Sequence, residues 1–394
     1  MMTREQALAR QEHRELLAQR EAESREAARG PIDVPFMLLV LLLTGTGLVM
    51  LLSASFPSAY YENGNPLYYF QRQAAFAVAG IAAMILTERI NYQRFRALAK
   101  PALYLSILLL VLVLVPGVGI TRNSATRWLG FGTFQFQPSE IAKLAVVLYF
   151  ADSISKKKDK MRTLRYGILP YAFILLVLAA LMLLEPHLSG AVLILGAGAA
   201  IMLVGGIDWA WVLGALGLGG AGAYLLIGVI GYNASRIAMW KNPWLDAQNK
   251  GYQMVQSLLA IGSGGLLGVG LGKSRQKYLY LPEEHNDFIF SIVCEELGFI
   301  GAAVIMLLFA ALILRGYWIA LHARDRFGSL LVVGITTLIA LQTFLNIAVV
   351  TGLLPATGIS LPFFSYGGTA LLIQLAEMGI VLSVSRQMKP TKSG

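Results

Sequence analysis

Residues 281–314 read LPEEHNDFIFSIVCEELGFIGAAVIMLLFAALIL: the carboxylates Glu283, Glu284, Asp287, Glu295 and Glu296 lead into the uncharged run 297–314. At about 1.5 Å per residue a helix over 288–314 is long enough to cross a hydrocarbon core of roughly 30 Å. Acids on such a helix are costly at membrane depth and therefore need partners or a function. Glu295 lies eight residues beyond Asp287, about 12 Å deeper along a helix. Asp287 thus falls at the mouth of the span, whereas Glu295 and Glu296 fall inside the bundle, where a structural role is expected.

Similar runs recur along the whole chain. Of 394 residues, 56% are hydrophobic and 14% charged, against about 25% charged in an ordinary soluble domain. Continuous apolar runs, rather than alternating segments of about ten residues, exclude a β-barrel. Spans are expected at 34–55, 103–120, 167–184, 188–207, 209–231, 288–314, 330–350 and about 363–385, with weaker ones at 74–86 and about 137–151. The fold class is therefore all-α, a polytopic membrane protein of ten helices. It divides into a polar N-terminal tail (1–33), the transmembrane domain (34–386) and a short C-terminal tail (387–394).

The net charge of +10 would suggest nucleic acid in a soluble chain. Here it follows the positive-inside rule instead, and no nucleic-acid partner is expected. Arg89, Arg94, Arg96, Lys100, the block KKKDKMRTLR (156–165), Arg324, Arg326, Arg386, Lys389 and Lys392 all fall on one side if both termini are cytoplasmic. The outer loops are nearly free of cations apart from Arg122 and Arg127. An eleventh run, GYQMVQSLLAIGSGGLLGVGLG (251–272), would reverse the C-terminus if it crossed. Parity places it instead in a large external loop, about 232–287, as a glycine-rich re-entrant or surface-packed segment.

Several motifs carry no chemistry. GLLGVGLGKS (265–274) ends like a phosphate-binding P-loop, but Leu267 stands where the pattern needs glycine and no strand precedes it. The histidines His13, His187, His285 and His322 lack metal-ligand spacing. Cys294 is the only cysteine, so no intrachain disulfide forms. The first 30 residues lack the apolar core of a signal peptide.

Three features remain, all at the external face. In FQFQPSEIAKLA (134–145), Pro138 suits a first helical turn, and Glu140 and Lys143 share a helix face. An interfacial ion pair with a snorkelling lysine reads the same way. In KSRQK (273–277), Lys273, Arg275 and Lys277 sit beside Tyr278 and Tyr280. This is either an interfacial belt or a clamp for an anionic headgroup. In EEHNDFIF, Asp287 is either a helix-start carboxylate or a reactive one. Together they offer what binding a lipid-linked pyrophosphate and activating a hydroxyl require.

These stretches resemble the SEDS family of bacterial membrane proteins, which includes FtsW, RodA and SpoVE. The resemblance rests on FQPSEIAKLA, EPHLSGA (185–191), NPWLDA (242–247), the run from Gly251 through Gly301, and TGLLPATGISLPFFSYGGTALL (351–372). The long YLPEEHNDFIFSIVCEELGFIG match leans toward the FtsW and SpoVE branch. The family's essential aspartate falls in an HTDFIF-type motif, HNDFIF here, which implies Asp287. Its Glu and Lys after QPS map to Glu140 and Lys143. EPHLSG departs from the commoner QPDLGT, so no role is carried over to Glu185 or His187.

The resemblance implies an inverting peptidoglycan glycosyltransferase of the bacterial cytoplasmic membrane that polymerises lipid II into β-1,4 glycan, in division, sporulation or cell-shape maintenance. It also implies a class B penicillin-binding protein as partner, with other division or elongation proteins. The donor would be a glycan linked through pyrophosphate to undecaprenol. Asp287 would remove the proton of the acceptor 4-hydroxyl. Arg275, Lys277 and Lys143, or a divalent cation such as Mg or Mn, would stabilise the leaving pyrophosphate. A lipid II flippase and a scaffold that only recruits the transpeptidase are the competing readings.

Overall fold

The computed structural model describes residues 30–122, 125–131, 134–224 and 234–388. The expected tails lie outside these residues except for 30–33 and 387–388, as does the end of the expected span 209–231. Twelve helices are described: α1 (Val34–Asn63), α2 (Tyr68–Arg89), α3 (Phe95–Leu114), α4 (Pro138–Lys157), α5 (Leu169–Leu184), α6 (Leu188–Val204), α7 (Trp209–Tyr224), α8 (Ala234–Lys241), α9 (Tyr252–Gly264), α10 (Ile289–His322), α11 (Arg326–Val350) and α12 (Gly368–Ser385).

Helices are what a bilayer demands, because only they satisfy every backbone group within one segment. Seven stretches among the described residues are long and apolar enough to cross a membrane: α1, α2, α3 with the short turn before it, α5 with the turn before it, α10, α11 and α12. The apolar α6 is shorter, and α4 carries Glu140, Lys143 and Asp152 within its length. Asp33 caps α1, accepting from Phe36 N at 3.0 Å, and forms a two-pronged pair with Arg315 of α10. Near the centre of the bundle, α11 is buried on all faces over residues 331–339. It packs against α10, α6 and α4, while α12 packs along α2.

The expected all-helical class needs one correction. Residues between α3 and α4 form a small antiparallel sheet, β1 (Ile120–Arg122), β2 (Ala125–Phe131) and β3 (Phe134–Phe136), in the order β1-β2-β3. Ile120 pairs with Trp128 and Leu129 with Phe136. The β-branched and aromatic residues of ITR, ATRWLGF and FQF favour strands. Outside a continuous apolar run, nothing forces them into a helix.

The uncharged segment 251–272 does not form a membrane-length helix. Its helical part, α9, has 13 residues, about 20 Å, and the chain then turns back. The returning residues join a break in α10 at Gly298 (φ 66°, ψ −170°). Phe299 N donates to Gly265 O at 2.8 Å and Ile300 N to Leu266 O at 3.1 Å, while Val269 N and Gly270 N donate to Glu295 O and Glu296 O, both at 3.0 Å. Backbone groups freed by the break are thereby paired again. The approach requires glycine on both sides. A Cβ on Gly268 would lie 2.1 Å from Glu296 O, and one on Gly298 would lie 2.2 Å from Gly268 N.

Candidate active site

Asp287 lies in the loop just before α10, held by three other parts of the chain. Asn346 of α11 donates from Nδ2 to Asp287 O and to Ile359 O, each at 2.7 Å. Ser365 Oγ donates to Asn286 O at 2.8 Å, and Tyr366 N to His285 O at 2.9 Å. Gln73 of α2 completes the frame, donating to Ser365 O and accepting from Gly367 N. Beside the aspartate, Gly358 adopts φ +71°, and a Cβ there would stand 3.1 Å from Asp287 Oδ2.

These elements wall a cavity of about 800 Å³, lined by Asp287, Glu140, Lys143, Arg127, His187 and Gln137 among others. The Asp287 side chain makes no hydrogen bond or ion pair among the described residues. Burial raises its carboxyl to about 6, the negative Glu283 adds to this, and Arg127 and His285 oppose it. Near neutral pH such a group is ionised yet basic enough to take a proton.

Glu140 and Lys143, one helical turn apart on α4, form a 2.8 Å ion pair, both buried. Pro138 opens this helix as its first residue, where its missing N–H costs nothing. From β2, Arg127 donates to the backbone oxygens of Glu185 and Pro186. Its charge is felt by Asp287, Glu185 and His187 alike. Burial lifts Glu185 to about 8, with Arg127 opposing. Burial, Arg127 and Lys143 together depress His187 to about 3, so its ring is neutral. Gln137 Nε2 lies 2.9 Å from His187 Nδ1. An amide donating there leaves the histidine proton on Nε2. Aromatic rings line the same space: Tyr69 stacks on His285 with centroids 4.4 Å apart and meets Tyr366 edge-on.

Of the six expected site residues, the cavity unites Asp287, Glu140 and Lys143. It does not include Lys273, Arg275 or Lys277, and the last requires a correction. Lys277 is buried, 3.0 Å from Glu296 and 3.1 Å from Ser53 of α1, in a cluster that does not line the cavity. Glu295 accepts from Ser274 Oγ and from Arg275 N at 2.9 Å. Both deep acids therefore hold the KSRQK turn in place, as structural partners. Sequence reasoning singled out Arg127 only as an unexpected outer cation, gave His187 no role, and missed Asn346 and Gln73.

A helical bundle that spans a membrane and encloses a polar cavity at one end defines the class. The family model for cell cycle proteins of the FtsW/RodA/SpoVE type matches residues 34–390, and the chain belongs to that family. A probable peptidoglycan glycosyltransferase FtsW of Geobacter metallireducens is 44% identical over 360 residues, covering 91% of this chain and 96% of the relative. The stage V sporulation protein E of Bacillus subtilis is 42% identical over 356 residues, covering 90% and 97%. A chain from a structure of a peptidoglycan synthase complex that coordinates polymerization and crosslinking matches with TM-score 0.78 at 28% identity, covering 92% of this chain and 99% of that one. Thermus thermophilus rod shape determining protein RodA matches with TM-score 0.67 at 30% identity, covering 92% and 99%.

Proposed function

We propose that this chain is a peptidoglycan glycosyltransferase that polymerises lipid II, with Asp287 as general base. The observation that carries the reading is the Asp287 carboxyl, raised to about 6, without a hydrogen-bond partner among the described residues and facing a cavity of about 800 Å³ that also holds Lys143 and Arg127. The family and the relatives named as peptidoglycan glycosyltransferases support it.

In this reading the acceptor is the 4-hydroxyl of the GlcNAc of lipid II. Asp287 takes its proton as the oxygen attacks the donor's anomeric carbon from the face opposite the diphosphate. The α-linkage is thereby inverted to β-1,4. A diphosphate leaves as an anion, so it needs charge stabilisation more than a proton. Lys143 and Arg127, both at the cavity wall, supply positive charge in place of the Arg275 and Lys277 expected from sequence. Glu140 holds Lys143 in position. Among the described residues no group of three or more His, Cys, Asp or Glu side chains is arranged to hold a metal. A divalent cation here would draw most of its ligands from the substrate's phosphates.

The bundle crosses the cytoplasmic membrane ten times over 34–386, both termini are cytoplasmic, and the cavity opens on the external face. That orientation rests on the lysine and arginine distribution. A class B penicillin-binding protein is the partner that crosslinks the product, in septal wall synthesis. The test is polymerisation of lipid II by the purified complex. Asp287→Ala should bind lipid II yet make no glycan, and normal polymer from that variant would sink the assignment.

A further inference from the structure

Lys273 and Arg275 are both exposed, and among the described residues neither side-chain charge has a hydrogen bond or ion pair. The turn that carries them is nonetheless rigidly built. Glu295 holds its backbone at Arg275 N, Glu296 holds Ser274 N at 3.3 Å, and Lys277 is pinned between Glu296 and Ser53. A turn whose backbone is anchored by two buried acids thus carries two exposed cations two residues apart.

The height of that turn along the bundle can be read from α1. Ser53 lies 19 residues beyond Val34, about 29 Å along the axis, and α1 continues to Asn63. Glu62, near the end of that helix, lines the cavity. The Ser53–Lys277–Glu296 cluster therefore lies in the half of the bundle that holds the cavity. Around it, Leu266, Leu267 and Leu271 are exposed on the returning segment, with Tyr278 and Tyr280 half-exposed beside them. Leucines for acyl chains, tyrosines for the interface and exposed cations for a phosphate are the composition of a lipid contact.

We propose that Lys273 and Arg275, flanked by Tyr278 and Tyr280, form a binding site outside the cavity for the headgroup phosphate of an anionic phospholipid. The guanidinium of Arg275 takes two phosphate oxygens, and Lys273 adds a point charge. The site does not depend on the catalytic reading, because none of these residues lines the cavity.

The test is native mass spectrometry of the full chain in detergent, with phosphatidylglycerol, phosphatidylcholine or undecaprenyl diphosphate added separately. The natural chain should retain phosphatidylglycerol over phosphatidylcholine, and Lys273→Ala/Arg275→Ala should lose about tenfold of that preference. Both side chains are exposed, so the lipid-free unfolding temperature of the double variant should stay unchanged. Arg275→Glu gives a second reading, excluding the anionic lipid by repulsion. Equal retention of phosphatidylglycerol by the natural chain and both variants overturns the proposal. So does selective loss of undecaprenyl diphosphate, which would assign the cations to the substrate.

Discussion

The Asn346 amide donates to the backbone oxygen of Asp287 at 2.7 Å, across 59 residues of sequence. Its second hydrogen goes to Ile359 O at the same distance. One buried side chain thus fixes the backbone of the proposed base and the segment at Ile359 beside it. Asn346→Leu strands two buried carbonyls, at about 1–3 kcal/mol each. Turnover per folded molecule should fall at least tenfold with little change in KM. Asn346→Asp, which replaces the donor with an acceptor, should fare worse. Kinetics alongside thermal unfolding separate the two effects, and unchanged turnover per folded molecule would reduce Asn346 to a packing role.

The pH dependence follows from Asp287. Its carboxyl rises from the ordinary 3.8 to about 6 in the folded protein. Glycan synthesis should therefore drop about tenfold per unit below pH 6 and level off above it. The sign for stability is opposite. A carboxyl that holds its proton more tightly when folded stabilises at low pH, and that contribution is lost as pH rises from 3.8 through 6. A rate profile with no inflection between pH 5 and 7 would contradict the assignment.

The Glu140–Lys143 pair should behave asymmetrically. Lys143→Met leaves a buried carboxylate uncompensated, costing about 3–5 kcal/mol. Adding Glu140→Gln should recover most of that stability while polymerisation stays low, because the cavity has still lost a cation. Full recovery of activity in the double variant would confine the pair to architecture.

A parallel experiment probes the KSRQK turn. Glu296→Gln leaves Lys277 charged and buried, with a cost of about 3–5 kcal/mol. Lys277→Met with Glu296→Gln should restore the unfolding temperature. If Lys277 contacted substrate instead, the restored protein would show a raised KM for lipid II.

Gly358 offers a finer probe of geometry. Alanine would place a methyl 3.1 Å from Asp287 Oδ2 on a backbone at φ +71°, a conformation unfavourable to L-residues. Gly358→Ala should lower turnover by about tenfold or more, as small displacements of reacting groups do.

Seven of the expected spans meet a membrane-length helix among the described residues, because hydropathy is local: a run such as 330–350 announces a helix without reference to its neighbours. Family motifs pointed to Asp287, Glu140 and Lys143, which line one cavity, and the separate surroundings of Asp287 and Glu295 followed from counting helical rise. The partner of each charge was not legible. Lys277 and Arg275 are two residues apart, yet one is buried against Ser53 of α1 and the other faces outward. Nothing in KSRQK distinguishes them, since the difference is made by Glu296 and a helix more than 200 positions away. Asn346 was hidden for the same reason, an amide in an apolar run whose two acceptors come from remote loops. The strands β1, β2 and β3 were overlooked because a bundle was expected to be helical throughout.

The frame around Asp287 also carries a consequence for biogenesis. Its supports are Gln73 of α2, Asn346 of α11, and the segment from Ile359 to Gly367 that precedes α12. A chain emerging from the ribosome with α10 already inserted carries Asp287 but not the later residues that hold it. The frame closes only when the last helices come back onto α2. If Asp287 is the base proposed above, a truncated or partly inserted copy would be silent, and the membrane would be spared a polymerase that acts before it is fully assembled.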